Sequence, residues 1–214
     1  MILYQKQDEL IRMPIQTFEL DAITIDYDAR SVYSTWEHSM EWLIEEYGDE
    51  DESYLEAVGG NREFAALWSD GVEAVRDLCA LESEQLNSID AGELTADMIE
   101  EIEEEAYEAD AYSPHMILDV GVRSLVMSIL EAGGYPFSSC NAGSLNDDRY
   151  HAEAYPLIAL YAPPEGLGKI EQAARKNGCG MHCTDAFPQL GALVIYTDDI
   201  RNFPAMALDL LELI

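Results

Sequence analysis

The 214-residue chain carries 43 Asp plus Glu against 11 Lys plus Arg, a formal net charge of −32. A surface this negative repels nucleic acid and anionic membranes, which excludes a protein that tracks a phosphate backbone with its own cations. With 48% hydrophobic residues a packed core is affordable, no run of about 18 apolar residues marks a bilayer span, and four cysteines are too few for a disulfide scaffold.

Met1 to Leu10 contain Gln, Lys, Asp and Glu and read as no secretory signal, so a cytoplasmic location with reduced thiols is expected. The charge is unevenly placed. Residues 1–113 hold 31 acidic against 5 basic residues, a net of −26, and residues 114–214 hold 12 against 6, a net of −6. The expected division follows that change: an acidic, mainly helical region over 1–113 and an α+β domain over 114–214.

In chain order, Phe18, Leu20, Ile23, Ile25 and Tyr27 fall largely on alternating positions, which predicts a strand or short hairpin. From Ser31 the apolar positions Val32, Trp36, Met40, Trp42, Leu43 and Tyr47 take roughly helical spacing, ended by Gly48 and the Asp49–Glu52 run. A second helix is predicted from Asn61 through Phe64, Leu67, Trp68, Val72, Val75, Leu78 and Leu81 to about Asn87. A third opens at Thr95 and covers most of its surface with glutamate. Ser113 and Pro114 read as the opening of a helix that Gly133 and Gly134 close. Then come a strand over Pro136–Cys140, a loop, the apolar strand Tyr155–Tyr161 and a helix from Glu165 to Asn177. A hairpin of Met181–Ala186 with Ala192–Thr197 and a closing helix Ile200–Leu213 complete the chain. The fold class is α+β: an acidic, mostly helical N-terminal half and a C-terminal antiparallel sheet of about four strands with helices packed on it.

Duplex DNA presents one negative charge per roughly 1.7 Å of axis, and a helix with carboxylates on several faces offers comparable spacing on a protein scaffold. The acidic half therefore predicts a nucleic-acid mimic that occupies the groove of a basic DNA- or RNA-binding protein or nuclease complex. Inhibition of that partner is the strategy expected of a phage or plasmid anti-defence protein directed at restriction or CRISPR machinery. The residues expected to make the contact are Glu100, Glu101, Glu103, Glu104, Glu105 and Glu108, then Glu45, Glu46, Asp49, Glu50, Asp51 and Glu52. On this reading the protein is not an enzyme, needs no cofactor, and touches neither nucleic acid nor membrane directly. Its less acidic half supplies shape, homodimerisation or a second contact. An antitoxin or immunity protein against a basic toxin would share the same surface. Salt adaptation predicts acidity over the whole chain, which the −6 of the second half does not match. The Asp49–Glu52 run lacks the 12-residue loop with central glycine that holds Ca²⁺ in helix-loop-helix sites.

The alternative is a cysteine-dependent or metal-binding enzyme centred on Cys140 and His151. Cys140 follows Ser138 and Ser139 at a strand end and precedes Asn141, Ala142 and Gly143, a stretch whose backbone N–H groups are potential anion donors, with His151 as the base. Thiolate and imidazole are also the ligand set of zinc, so Cys140, His151, Cys179 and Cys183 form a candidate metal site. If Met181–Ala186 is a strand, His182 faces away from Cys183. The Ser-Ser-Cys loop within Gly134–Gly143 resembles a loop of short α/β domains in uncharacterised bacterial and phage proteins. More faintly, it is similar to the Ser-Ser-Cys loop of wybutosine-synthesis tRNA methyltransferases, with Asn141 and Ala142 here where glycine follows sooner in those loops. The resemblance spans about 30 residues of the chain and implies no activity of its own. No nucleophile elbow, phosphate-binding glycine loop or dinucleotide fingerprint is present.

Overall fold

The computed structural model describes residues 15–33, 71–94, 98, 118–145, 151, 153–183 and 193–214. The glutamate-covered helix predicted from Thr95 lies outside them except for Met98, which is helical and exposed. Outside them too are the helix predicted from Ser31 beyond Tyr33, and residues 61–70 of the second helix, with Trp36, Trp42 and Trp68.

Residues 29–33 are helical, two positions ahead of the predicted start. Asp28 is the reason: its Oδ1 accepts the Arg30 N–H at 3.0 Å and its Oδ2 the Ser31 hydroxyl at 3.1 Å, which satisfies donors that a first helical turn leaves open. Among the described residues before it, only Ile25–Asp26 (β1) is a strand, rather than the predicted Phe18–Tyr27 run. The chain upstream bonds to loops instead of a ladder, Gln16 N–H to Ser144 O and Phe18 N–H to Asp198 O, both at 2.8 Å.

Helix α1 spans Val72–Asp90. It does not continue from Asn61 as predicted, because Gly71 stands at its N-cap with φ of 86°, outside the helical region. Helix α2 spans Arg123–Glu131. Leu118–Val122, predicted as the interior of this helix, is a turn instead, since Gly121 takes φ of 98°. The remaining elements follow the predicted order: β2 Tyr135–Cys140, β3 Leu157–Tyr161, α3 Pro164–Lys176, β4 Gly180–Cys183, β5 Leu193–Tyr196 and α4 Asn202–Leu211. Pro164 starts α3 where its missing donor costs nothing, and Arg175 and Lys176 in its last turn complement the helix dipole.

The sheet has five strands in the order β1-β4-β5-β3-β2. β4, β5, β3 and β2 pair antiparallel, each with the next, close to the expected four-stranded antiparallel sheet, and the two-residue β1 pairs parallel with β4 at one edge. Alternation divides β3 and β5 between two apolar layers. Ile158, Leu160, Leu193 and Ile195 join the main core with the helices. Leu157, Ala159, Val194 and Tyr196 form a second cluster on the opposite face, covered by Leu20, Phe137 and Tyr155. Gly180 is required where it is, because a Cβ there would overlap the Tyr196 ring across the β4–β5 pair. Residues from both sides of the composition change at 113 share the main core: Val75, Cys79, Leu86 and Ile89 of α1 pack with Leu125, Ile129, Phe203 and Leu210. Among the described residues no helix is long and apolar enough to cross a membrane.

Glu82 of α1 is fully buried at the start of α2. Its carboxylate accepts the N–H groups of Gly121 at 2.7 Å, Arg123 at 3.1 Å and Ser124 at 3.0 Å, and the Ser124 hydroxyl as well. Val122 at the N-cap offers no side-chain acceptor, so a carboxylate from another helix performs the capping and meets the positive end of the α2 dipole. Glu82→Ala leaves three buried N–H groups without an acceptor at roughly 1–3 kcal/mol each. It is expected to lower unfolding free energy by about 3 kcal/mol or more in urea titration, with Glu82→Gln losing less. A loss below about 1 kcal/mol for the alanine variant would show that the carboxylate does not hold this turn.

Arg201 ties the end of α1 to the start of α4 through Asp90 at 2.9 Å and Asp199 at 2.6 Å. Burial pushes the Asp199 carboxyl up, but the hydrogen bonds and charge of Arg201 outweigh it and hold the group below its ordinary value. A carboxyl held low stabilises the fold above its unfolded pKa and loses that contribution as pH falls through the folded value. Arg201→Gln should therefore cost about 1 kcal/mol near neutral pH. The gap to the natural chain should close below about pH 4, read as thermal midpoints of both proteins across the acid range.

Candidate functional site

Cys140 is the last residue of β2, an edge strand, and the chain turns immediately after it. The turn Asn141–Ser144 closes with Ser144 N–H on Asn141 O at 3.1 Å. Its central residues Ala142 and Gly143 have φ of 56° and 72°, the positive pair of a type I′ turn. A side chain at Gly143 would press on His151, whose Cδ2 would lie 3.2 Å from its Cβ, so glycine lets the imidazole settle over the turn. The Cys140 Sγ and His151 Nδ1 atoms are 3.7 Å apart.

A second turn faces this one. Asp119 Oδ2 accepts the Asn141 N–H at 3.2 Å, and the buried Asn141 side chain donates Nδ2–H to Val120 O at 3.3 Å. These two bonds fix the 118–122 turn against the 141–144 turn and bring the Asp119 carboxylate to the thiol and imidazole. One donor atom from each of Asp119, Cys140 and His151 lies within 4.8 Å of the others, and all three residues are half-buried.

The expected anion-binding role of the loop is overturned by its hydrogen bonds. The N–H groups of Asn141, Ala142, Gly143 and Ser144 go to Asp119 Oδ2, Cys140 Sγ, Asn141 Oδ1 and Asn141 O. Every donor of the turn is engaged internally, leaving no cradle for an oxyanion. The surroundings of the Cys140 thiol act on it in both directions. Burial pushes its pKa up, the Ala142 N–H pulls it down, and the Asp119 charge raises it again, with a net rise.

The other two cysteines of the four-ligand set do not join Cys140 and His151. Cys140 is in register with Leu157, Leu157 with Tyr196, and Tyr196 with Gly180. Three interstrand spacings, roughly 14 Å, therefore separate Cys140 from the start of β4 beside Cys179. Cys179 is buried in the main core, and Cys183 is at the far end of β4. Asp119 is the member that sequence reasoning missed, because the segment holding it was read as helix interior; Gly121 two residues on was the available signal. Glu100, Glu101, Glu103, Glu104, Glu105, Glu108, Glu45, Glu46, Asp49, Glu50, Asp51 and Glu52 all lie outside the described residues.

The thiols should be distinguishable by alkylation. Burial pushes Cys79 up to about 11 and Cys179 up to about 12, and both are sealed in the core. Iodoacetamide near neutral pH should leave these two unmodified in the folded chain and label them only on unfolding, with the half-buried Cys140 and Cys183 labelled first. Labelling of Cys179 in the folded state at the rate of Cys183 would contradict this packing. Comparison with family models, with curated proteins and with solved structures finds no match to the chain.

Proposed function

We propose that the chain is a non-enzymatic inhibitor that binds a basic DNA- or RNA-binding protein by occupying the site where that partner holds nucleic acid. The observation that carries the reading is the placement of charge: −26 over residues 1–113 against −6 over the remainder. The pairing of the cations supports it. Arg175 pairs with Glu171, Lys176 with Asp209, Arg76 with Glu73, and Arg201 with Asp90 and Asp199. Arg123 is buried. These side chains are engaged with carboxylates or backbone of the chain itself, so they form no basic patch for a phosphate backbone, while the carboxylates of the first half exceed any internal demand.

A partner of this chemistry carries a groove lined with Lys and Arg, and displacement of counterions from both surfaces contributes to association as it does for DNA. A restriction or CRISPR nuclease complex has such a groove; so does a basic toxin, which would make the chain an immunity protein. Competition separates the two. Duplex DNA or guide RNA displaces the chain from a nuclease groove, and has no such effect on a toxin bound elsewhere.

Capture on the immobilised chain at low salt, with elution along a salt gradient, should release a basic nucleic-acid-binding protein. Reversing Glu100, Glu101, Glu103 and Glu104 to Lys should then weaken its binding by about two orders of magnitude or more and flatten the dependence on salt, since each lost carboxylate contact removes counterions released on association. Affinity and slope unchanged by the reversal would sink the proposal.

A further inference from the structure

We infer that Asp119, Cys140 and His151 form a site for a divalent transition-metal ion of the zinc class, independent of the acidic half and of its partner. The inference rests on donor chemistry and on convergence. A thiolate, an imidazole nitrogen and a carboxylate oxygen are the three ligand types zinc takes, at about 2.3, 2.0–2.1 and 2.0–2.2 Å. A tetrahedral ion held by sulfur and nitrogen at those lengths sets them roughly 3.6 Å apart, and Sγ and Nδ1 lie at 3.7 Å. The carboxylate needs only a small closing movement from within 4.8 Å.

Convergence also separates this arrangement from a catalytic relay. In a Cys-His-Asp relay the carboxylate bonds the imidazole nitrogen remote from the thiol, so the three groups run in a line. Here the donor atoms of all three are mutual neighbours, and the Asp119 carboxylate stands beside the thiol as well as the imidazole. Two anionic groups around one point are mutually repulsive without a cation and neutralise a divalent one. The Ala142 N–H aimed at Sγ, at 3.2 Å, suits a sulfur that carries negative charge, and Asn141 N–H on Asp119 Oδ2 orients the carboxylate. Soft sulfur with imidazole selects zinc, cobalt or a neighbouring ion over Mg²⁺ and Ca²⁺, which require oxygen shells. Binding takes the Cys140 proton to solvent and leaves neutral His151 coordinating through a ring nitrogen.

The test uses the full chain with Zn²⁺ and Co²⁺ as probes. Titration of metal-free protein should give one tight site, and Co²⁺ should produce the near-ultraviolet sulfur-to-cobalt charge-transfer band together with the visible bands of tetrahedral coordination. Cys140→Ser should abolish the charge-transfer band. Asp119→Asn and His151→Gln should each weaken Zn²⁺ binding by at least about 100-fold, the upper end of what losing a mere outer-shell partner costs, whereas Cys183→Ser should leave affinity and spectrum unchanged. Should a variant fail to fold, the natural chain still decides the matter: one equivalent of Zn²⁺ should slow alkylation of Cys140 at least about 100-fold and leave Cys183 at its metal-free rate. Absence of stoichiometric binding, binding with no sulfur-to-cobalt band, or equal protection of both thiols would overturn the site and assign any bound metal to surface carboxylates.

Discussion

The buried carboxylate of Glu82 is the constraint on which the rest of the architecture depends. It sits where α1 passes the beginning of α2, and three backbone N–H groups and a hydroxyl converge on it. Without that acceptor, the positive end of α2 would be buried with open donors, a cost of the same order as the whole stability of a small domain. The same bonds hold the chain from Gly121 to Ser124 in its turn, and through Asp119 and Val120 that turn meets the one after Cys140. A capping interaction between two helices thus determines where a carboxylate stands at the end of an edge strand.

Much of the second half was legible in sequence because its signals are local. The run Leu157–Tyr161, wholly buried, reads as a central strand, and Pro164 and Gly178 mark the ends of α3 by their backbone preferences. Ala192–Thr197 shows its pairing with β4 through length and turn residues alone. Legibility failed where a glycine was counted inside a helix. Gly71 and Gly121 both take positive φ, and each ends a helical reading that apolar spacing had carried straight through. The short β1 was overextended for another reason: alternation near Phe18 reflects one side of an irregular segment lying on the sheet, with Leu20 inward, and not a ladder.

The candidate site was half legible for a related reason. Cys140 and His151 stand on one loop, so their nearness follows from short sequence separation and a turn at Gly143. Asp119 joins them through a contact between two turns, set by a glutamate of a third element, and no local pattern announces it. The sheet register also decides what sequence proximity had suggested wrongly. Cys179 and Cys183 resemble ligands on paper, but β3 and β5 stand between β4 and the strand that Cys140 ends.

The distribution of charge links the two halves of the argument. A chain at −32 carries a self-repulsion that opposes compactness, and Arg76, Arg175, Lys176 and Arg201 reduce it locally, each held against one or two carboxylates. By sequence the excess of carboxylates lies chiefly in residues 1–113, and on the proposed reading a cationic partner surface answers it. The site at Asp119 and Cys140 answers to a different scale: with the Cys140 proton released, filling it changes the local charge by one unit against −32 for the chain, a change screened over a Debye length of about 8 Å at physiological salt. A variant that loses the metal ligands should therefore retain nearly all of the chain's net charge, and with it the long-range field on which encounter with a basic partner depends.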